Sequence, residues 1–261
     1  MGVLQALRRT PGALKRAPGL LVPQLIVFAL LVPQMLLQSA YPLASTLYSL
    51  GFSVVFLLVM PFIQGGMFGM ADEALTARSS LSRFVTDGRA NYLQLLVAYV
   101  LLLVVNSVIG AVGVAAGFGA LLAHGSIGMV FIGLVAISAL VYLSVAFFIQ
   151  FYGQAIVIDD LGAVDGLKHS YAVVRRNLVS TLGYSVFVGI LGGVAGGVFT
   201  IASMLVSPQS TTVLSLPQLS VVATVGVALL IVIFGALFGG FFTVYSVAFY
   251  RTIGSEVIDG S

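Results

Sequence analysis

Residues 62–91 read FIQGGMFGMADEALTARSSLSRFVTDGRAN, and the same design returns at residues 148–177 as FIQFYGQAIVIDDLGAVDGLKHSYAVVRRN. In each stretch an apolar run ends in a pair of acids, a short amphipathic segment follows, and Arg then Asn precede the next apolar run. A gapless shift of 86 residues, from Phe62 to Phe148, lays Glu73 on Asp159, Leu75 on Leu161, Leu81 on Leu167, Arg89 on Arg175 and Asn91 on Asn177. The amino terminus fits the same frame, with Leu7, Arg8, Arg9, Lys15 and Arg16 matching Leu167, Lys168, His169, Arg175 and Arg176. Near the other end, Phe241, Phe242 and Tyr245 echo Phe148, Ile149 and Tyr152. Self-similarity at a fixed spacing is the mark of an internal repeat. The expected unit is an amphipathic helix, a span out and a span back, in three copies: 1–72, 73–158 and 159–251, with a short tail over 252–261.

Outward from these stretches the chain is almost free of charge. Its eleven Lys and Arg and eight Asp and Glu fall in four short clusters separated by long apolar runs. With 60% hydrophobic and 7% charged residues, it cannot cover an aqueous surface, since soluble domains carry roughly 25% charge. The class expected is an all-α integral membrane protein. Two crossings between successive clusters put all four on one side, and the Lys/Arg excess marks that side as cytoplasmic. The expected location is the cell membrane, with both termini in the cytoplasm. Parallel copies of this kind are related by an axis along the membrane normal. No basic run with interleaved aromatics suggests nucleic acid, and the absence of cysteine removes disulfides and thiol chemistry. Arg8, Arg9, Lys15 and Arg16 precede a run too long for a cleaved signal, so the amino terminus is expected to stay.

A helix needs about 20 apolar residues to cross roughly 30 Å of hydrocarbon. Six spans are expected: 19–38, 49–71, 92–116, 127–157, 178–206 and 219–250. The last three exceed a straight crossing, which predicts tilt, a break or an extension. The connections 39–48, 117–126 and 207–218 are short and uncharged. Pro23, Pro33 and Pro61 predict breaks held against protein, because lipid cannot satisfy freed backbone groups.

Between the spans, the segment from Leu81 places Leu81, Phe84, Val85, Gly88 and Tyr92 on one helical face and Arg83, Asp87 and Arg89 on the other. Ser79 or Ser80 is its expected cap. The matching stripe in the third copy is Leu161, Val164, Leu167, Tyr171 and Val174, with Asp165 as cap. In the first copy Thr10 is the expected cap, with Pro11 in the first turn. Such helices lie in the interface, where Arg8, Arg9, Lys15, Arg16, Arg83, Arg89, Lys168, Arg175 and Arg176 either hold lipid headgroups or simply fix topology.

Inside the spans, Gly189, Gly193 and Gly197, and Gly235 with Gly239, give small-xxx-small patterns that predict close helix contacts. Gly65, Gly66 and Gly69 predict the same in the second span. Gln64 and Gln150 occupy equivalent positions, nine residues before Glu73 and Asp159, which is roughly 13 Å of helix. With Thr243 as third counterpart, and Gln154, Tyr152 and Tyr245 nearby, they either converge on a polar site at the midplane or bond helices together. Gln24, Gln34 and Gln38 read as packing or interface groups.

The acids Asp72, Glu73, Asp159 and Asp160 end two spans. They either offer interfacial acid–base or metal chemistry, or pair with Arg89 and Arg175. His124 and His169 have no ligand companions in the sequence, and no HExxH is present. No catalytic residue, metal or cofactor is expected.

The stretches FIQGGMFGMADEAL, RANYLQLLVAY, FYGQAIVIDDLGAVDG, VVRRNLVSTLGYSV and VYSVAFYR resemble an uncharacterised six-span membrane family of halophilic archaea. That family is similar in layout to the membrane portion attached to some glycerophosphodiester phosphodiesterases. The resemblance implies a six-helix membrane fold and no substrate. The phosphodiesterase residues are absent, so that activity does not carry over. Three functions stay open: a non-enzymatic module organising lipid or a membrane or cytoplasmic protein partner, a transporter or channel around Gln64 and Gln150, and a lipid-modifying enzyme using the interfacial acids.

Overall fold

The structure is a computed structural model that describes residues 2–206 and 220–258. Gln34 and Gln38, the connection 207–218 and the carboxylates Glu256 and Asp259 lie outside what it describes at the side-chain level. Ten α-helices and one short 3-10 turn account for the described chain, and no strand occurs among these residues. They are α1 (Gly2–Arg16), α2 (Leu21–Ala40), α3 (Pro42–Ala74), α4 (Leu81–Ala90), α5 (Tyr92–Leu122), α6 (Gly125–Ile149), α7 (Tyr152–Ile158), α8 (Ala163–Arg176), α9 (Leu178–Val206) and α10 (Val221–Ile258).

Five helical stretches are long and apolar enough to cross a membrane, and six if α1 and the start of α2 are taken as one bent unit. The bend there is 91°, so α1 lies across the bundle end while α2 runs along it. The chain turns at Ala17, whose N–H is shared between Ala13 O and Leu14 O before Pro18 opens the 3-10 turn.

The connections expected at 39–48 and 117–126 shrink to a residue or two. α3 starts at Pro42, where a missing N–H costs a helix nothing, and only Ala123 and His124 separate α5 from α6. Both pairs are therefore longer, tighter hairpins than hydropathy alone delimits. Pro33 and Pro61 lie within continuous helices. Among the described residues, the long stretch from Gly125 to Ile158 is broken at Gln150–Phe151, between α6 and α7.

Thr10 and Pro11 do not start a helix. α1 runs through both, and Thr10 Oγ1 donates to Ala6 O at 2.9 Å, the back-bond a hydroxyl makes in a helix interior. Ser80 stands at the N-cap of α4 without a side-chain bond, and Asp165 falls in the first turn of α8, behind the cap residue Gly162. The first N–H of α8, at Ala163, donates instead to Gln94 Oε1 of α5 at 3.0 Å.

The charged end of the bundle holds the core. Phe151, Tyr245, Phe249, Tyr250, Ile253 and Val174 form one buried cluster; Leu20, Met67, Met70, Ala71, Val244 and Val247 form its neighbour. Toward the other end the helices are largely exposed side chain, as lipid-facing helices are. The most apolar stretch of α9 buries none of its residues and that of α10 22%, which makes α10 the central helix. α1 packs on α10, α4 on α3, and α8 on α6 and α7.

The inward face of each short helix is mostly small: Gly2, Ala6, Thr10 and Ala13 on α1, Asp87 and Gly88 on α4, Ala163, Gly166 and Ser170 with Val173 and Val174 on α8. Val164 and Tyr171 of the expected stripe are half exposed, as are Leu81 and Val85. Where the solvent is lipid, large apolar side chains gain nothing by turning inward, and small ones let backbones approach.

Candidate functional site

The ends of α3, α7 and α10 meet beneath α1 and α8, and most of the chain's buried polarity gathers there. Its floor is aromatic. Tyr184 of α9 stacks on Phe249 and Tyr245 with ring centroids 4.4 and 5.3 Å away, and Phe151 closes on Tyr184, Phe249 and Tyr250. Beside this floor Gln154 Nε2 donates to Ser246 Oγ at 3.2 Å, and Ser246 donates to Thr243 O at 3.0 Å. This chain ties α7 to α10 inside the core. Thr243 spends its hydroxyl on Gly239 O, while the Tyr245 hydroxyl has no hydrogen-bond partner among the described residues.

Toward the surface, the acids are tied to the neighbouring span. Arg251 of α10 donates through Nε and Nη2 to the two oxygens of Asp72, at 2.7 and 2.8 Å. The Tyr250 hydroxyl donates to Asp159 Oδ2, and His169 Nε2 stands 3.6 Å from the same oxygen. The pairing with Arg89 and Arg175 expected from sequence does not form. Both arginines are exposed on α4 and α8, whereas Arg251 and Tyr250 sit on α10 beside the acids. Glu73 and Asp160 make no ion pair among the described residues. Asp160 occupies the left-handed region (φ 53°) in the turn into α8.

Asp87 of α4 has an unusual seat. Its carboxylate fills the space a side chain at Gly69 would need, with Oδ2 1.8 Å from the ideal Cβ position. Gly66 faces Phe84 O at 2.4 Å and Gly65 faces Asp87 O at 3.2 Å in the same sense. The glycines of α3 thus bring α4 onto α3. Burial pushes the Asp87 carboxyl above its ordinary range; Arg83, 2.6 Å away, offsets this only in part.

Gln64 and Gln150 are not brought together. Gln64 faces Gly153 and Phe68, with its Oε1 unpartnered among the described residues. Gln150 donates to Phe147 O and accepts from Ser185 Oγ at 3.1 Å, on the side of α9. The α6–α7 break separates the two environments, because it turns Gln150 away from the helix axis that Tyr152 and Gln154 follow. Tyr152 sits edge-on to Tyr99.

The glycine pairs divide likewise. Gly235 and Gly239 lie against Phe28 and Gln24 of α2, at 2.5 and 2.6 Å from the ideal Cβ. At Gly189, Gly193 and Gly197 a Cβ would meet no described atom within 4 Å. α9 therefore presents its glycine face to the surroundings, and those three residues make no helix contact.

The basic residues form a rim. Arg8, Arg9, Lys15, Arg83, Arg89, Lys168, Arg175 and Arg176 are exposed. Arg83 and Lys168 have neighbouring acids on their own helices, and Arg16 turns inward to donate to Ala74 O and Leu75 O. For the others no acid is in reach among the described residues.

Ser170, Tyr184, Ser185, Ser246 and Gln94 were not singled out by sequence. Ser246 carried a signal, three residues beyond Thr243 on one helical face; the others join residues 19 to 69 positions apart, beyond local periodicity. Among the described residues no three His, Asp or Glu side chains are placed to hold a metal.

A family model described as a domain of unknown function (DUF7847) matches residues 1–253. No curated protein and no solved structure matches the chain.

Proposed function

We propose that this chain, which belongs to the family described as a domain of unknown function (DUF7847), is a non-enzymatic membrane module that organises lipid or a partner protein around its charged end. The observation that carries this is the placement of α1. It turns 91° from α2, seats its small face on α10 and leaves Arg8, Arg9 and Lys15 exposed beside the 65%-exposed Leu4. That is the dress of a helix lying in a headgroup layer, where each Lys or Arg near an anionic leaflet contributes about 1 kcal/mol. α4 and α8 repeat the arrangement.

In this reading the chain crosses the cell membrane six times with both termini cytoplasmic. It is three parallel copies of helix, span and span, each interfacial helix resting on the returning span of the copy before it, with α1 resting on the last. The likeness to a six-span family of halophilic archaea belongs to the same reading. The aromatic floor of Phe151, Tyr184, Tyr245 and Phe249 weighs against a channel, as does the separation of Gln64 from Gln150. The engagement of Asp72 by Arg251 and of Asp159 by Tyr250 weighs against acid–base catalysis at the interface.

The test is native mass spectrometry of the protein released from its own membrane in the mildest detergent that keeps it folded. Retained anionic lipid or a stoichiometric protein, shed when Arg8, Arg9 and Lys15 are changed to Gln, is the expected result. A bound water-soluble small molecule that the rim substitutions leave in place would instead make the chain a transporter.

A further inference from the structure

α2 packs along α10 and α5 along α3, but α6 and α9 meet at most marginally. Between them runs an open groove of about 590 Å³, walled by Leu140, Leu143, Phe147 and Phe148 and by Ser185 opposite. We propose that this groove holds one chain-bearing lipid with an anionic headgroup, its polar linkage at the Gln150–Ser185 pair and its charge at Arg175 and Lys168. The proposal rests on the lipid-organising reading above and names the ligand class of one site within it.

The groove is graded in polarity as such a lipid is. At its mouth the Tyr171 ring of α8 lies 5.1 Å from that of Phe148, and Lys168 and Arg175 flank Tyr171 on its helix face at i−3 and i+4. Both cations are exposed, and Arg175 has no acid in reach among the described residues. Below the mouth, Gln150 uses one amide N–H on Phe147 O and accepts once from Ser185, so a second N–H and a lone pair stay free. Ser185 lies seven residues into α9, roughly 10 Å of helix below the basic level. The drop from a phosphate to the carbonyl or hydroxyl of its glycerol linkage is shorter than this, and the flexible stems of Lys168 and Arg175 cover the difference. Deeper still, Gly189 and Gly192 follow Ser185 at i+4 and i+7, and a Cβ added at either would meet no described side chain or neighbouring helix within 4 Å, a bare wall on which a hydrocarbon chain can lie close.

The test uses the full chain in phosphatidylcholine nanodiscs carrying a phosphatidylglycerol with a photoreactive acyl chain, with adducts mapped by peptide mass spectrometry. Adducts are expected on residues 140–150 and 185–192, competed by unlabelled phosphatidylglycerol and not by phosphatidylcholine. Changing Lys168 and Arg175 to Gln, or Gln150 to Leu, should lower them about tenfold, the worth of a charge-assisted contact. Ser185→Ala, the mildest change, serves if Gln150→Leu fails to fold. Adducts spread evenly over the exposed spans, with phosphatidylglycerol still preferred at the rim, would overturn the groove and leave the module standing. No preference for the anionic lipid anywhere would overturn the groove together with the lipid half of the module reading, leaving only the partner protein. Cross-links joining α6 of one copy to α9 of another would assign the groove to a dimer and overturn the lipid.

Discussion

The hydroxyl of Ser170 accepts a hydrogen bond from the backbone N–H of Phe151 at 3.1 Å and donates to Phe148 O at 3.0 Å. It thereby mends the break between α6 and α7. A break inside a span frees backbone groups that lipid cannot satisfy, and here the repair comes from α8. α8 is therefore a structural member of the α6–α7 stretch as well as a surface element.

Ser170→Ala is expected to destabilise the protein by about 1–3 kcal/mol, the cost of leaving a buried backbone donor unpaired. Unfolding of the detergent-solubilised variant against the parent measures it. A change within a few tenths of a kcal/mol would mean that Phe151 finds another acceptor.

The same serine shows what the sequence conceals. Apolar length and charge clusters delimit the spans because lipid imposes both, and the amphipathic period marks α1, α4 and α8. Which residues of those helices turn toward the bundle was not legible: of the α8 stripe Val174 is buried while Val164 and Tyr171 are half exposed, and Ala163, Gly166 and Ser170 face in. Hydrophobicity points to a core only against water. The acids' partners were hidden for a second reason, since Asp72 and Arg251 are 179 positions apart while Arg89 stood temptingly near. Of the glutamines, Gln154 reaches a buried partner, and the α6–α7 break sends Gln150 to α9.

Gly69→Ala is expected to be among the most damaging single changes, because its Cβ would stand 1.8 Å from Asp87 Oδ2 and α4 would have to lift from α3. Overpacking of this kind costs about 1–3 kcal/mol or more. Gly193→Ala, with open space around it, should instead gain about 0.5–1 kcal/mol of helix propensity. Equal effects of the two substitutions on the unfolding midpoint would refute the α3–α4 contact.

Asp87 also sets a pH dependence. Its carboxyl is raised above the ordinary 3.8 by burial, with Glu73 and Asp72 adding to the rise and Arg83 opposing it. An acid raised on folding binds more protons in the folded state, so its contribution falls as pH climbs from 3.8 through the raised value, then levels off. Stability measured across the acidic range should decline less steeply in Asp87→Asn than in the parent. Arg83, half exposed, loses little with its partner gone. Parallel curves for the two proteins would remove Asp87 as the source.

The Asp72–Arg251 clamp should be unequal in its two halves. Asp72 lies in the last turn of α3, where the helix dipole is negative and a carboxylate is misplaced; Asp159 adds a second negative charge near Arg251. Arg251 answers all three. Removing Arg251 strands Asp72 among like charges, whereas removing Asp72 leaves a cation beside negative helix ends, which it still stabilises. Arg251→Ala is therefore expected to cost more than Asp72→Ala, by roughly 0.5–1 kcal/mol, the usual size of a charge–dipole term. A double-mutant cycle should give a coupling of about 1 kcal/mol that shrinks with added salt, since the pair is partly exposed. Arg251→Lys should keep the charge–dipole part and lose the two-pronged fit, placing it between the parent and Arg251→Ala. If Asp72→Ala proves the costlier change, the arginine is held in place by the acid and the dipole argument fails.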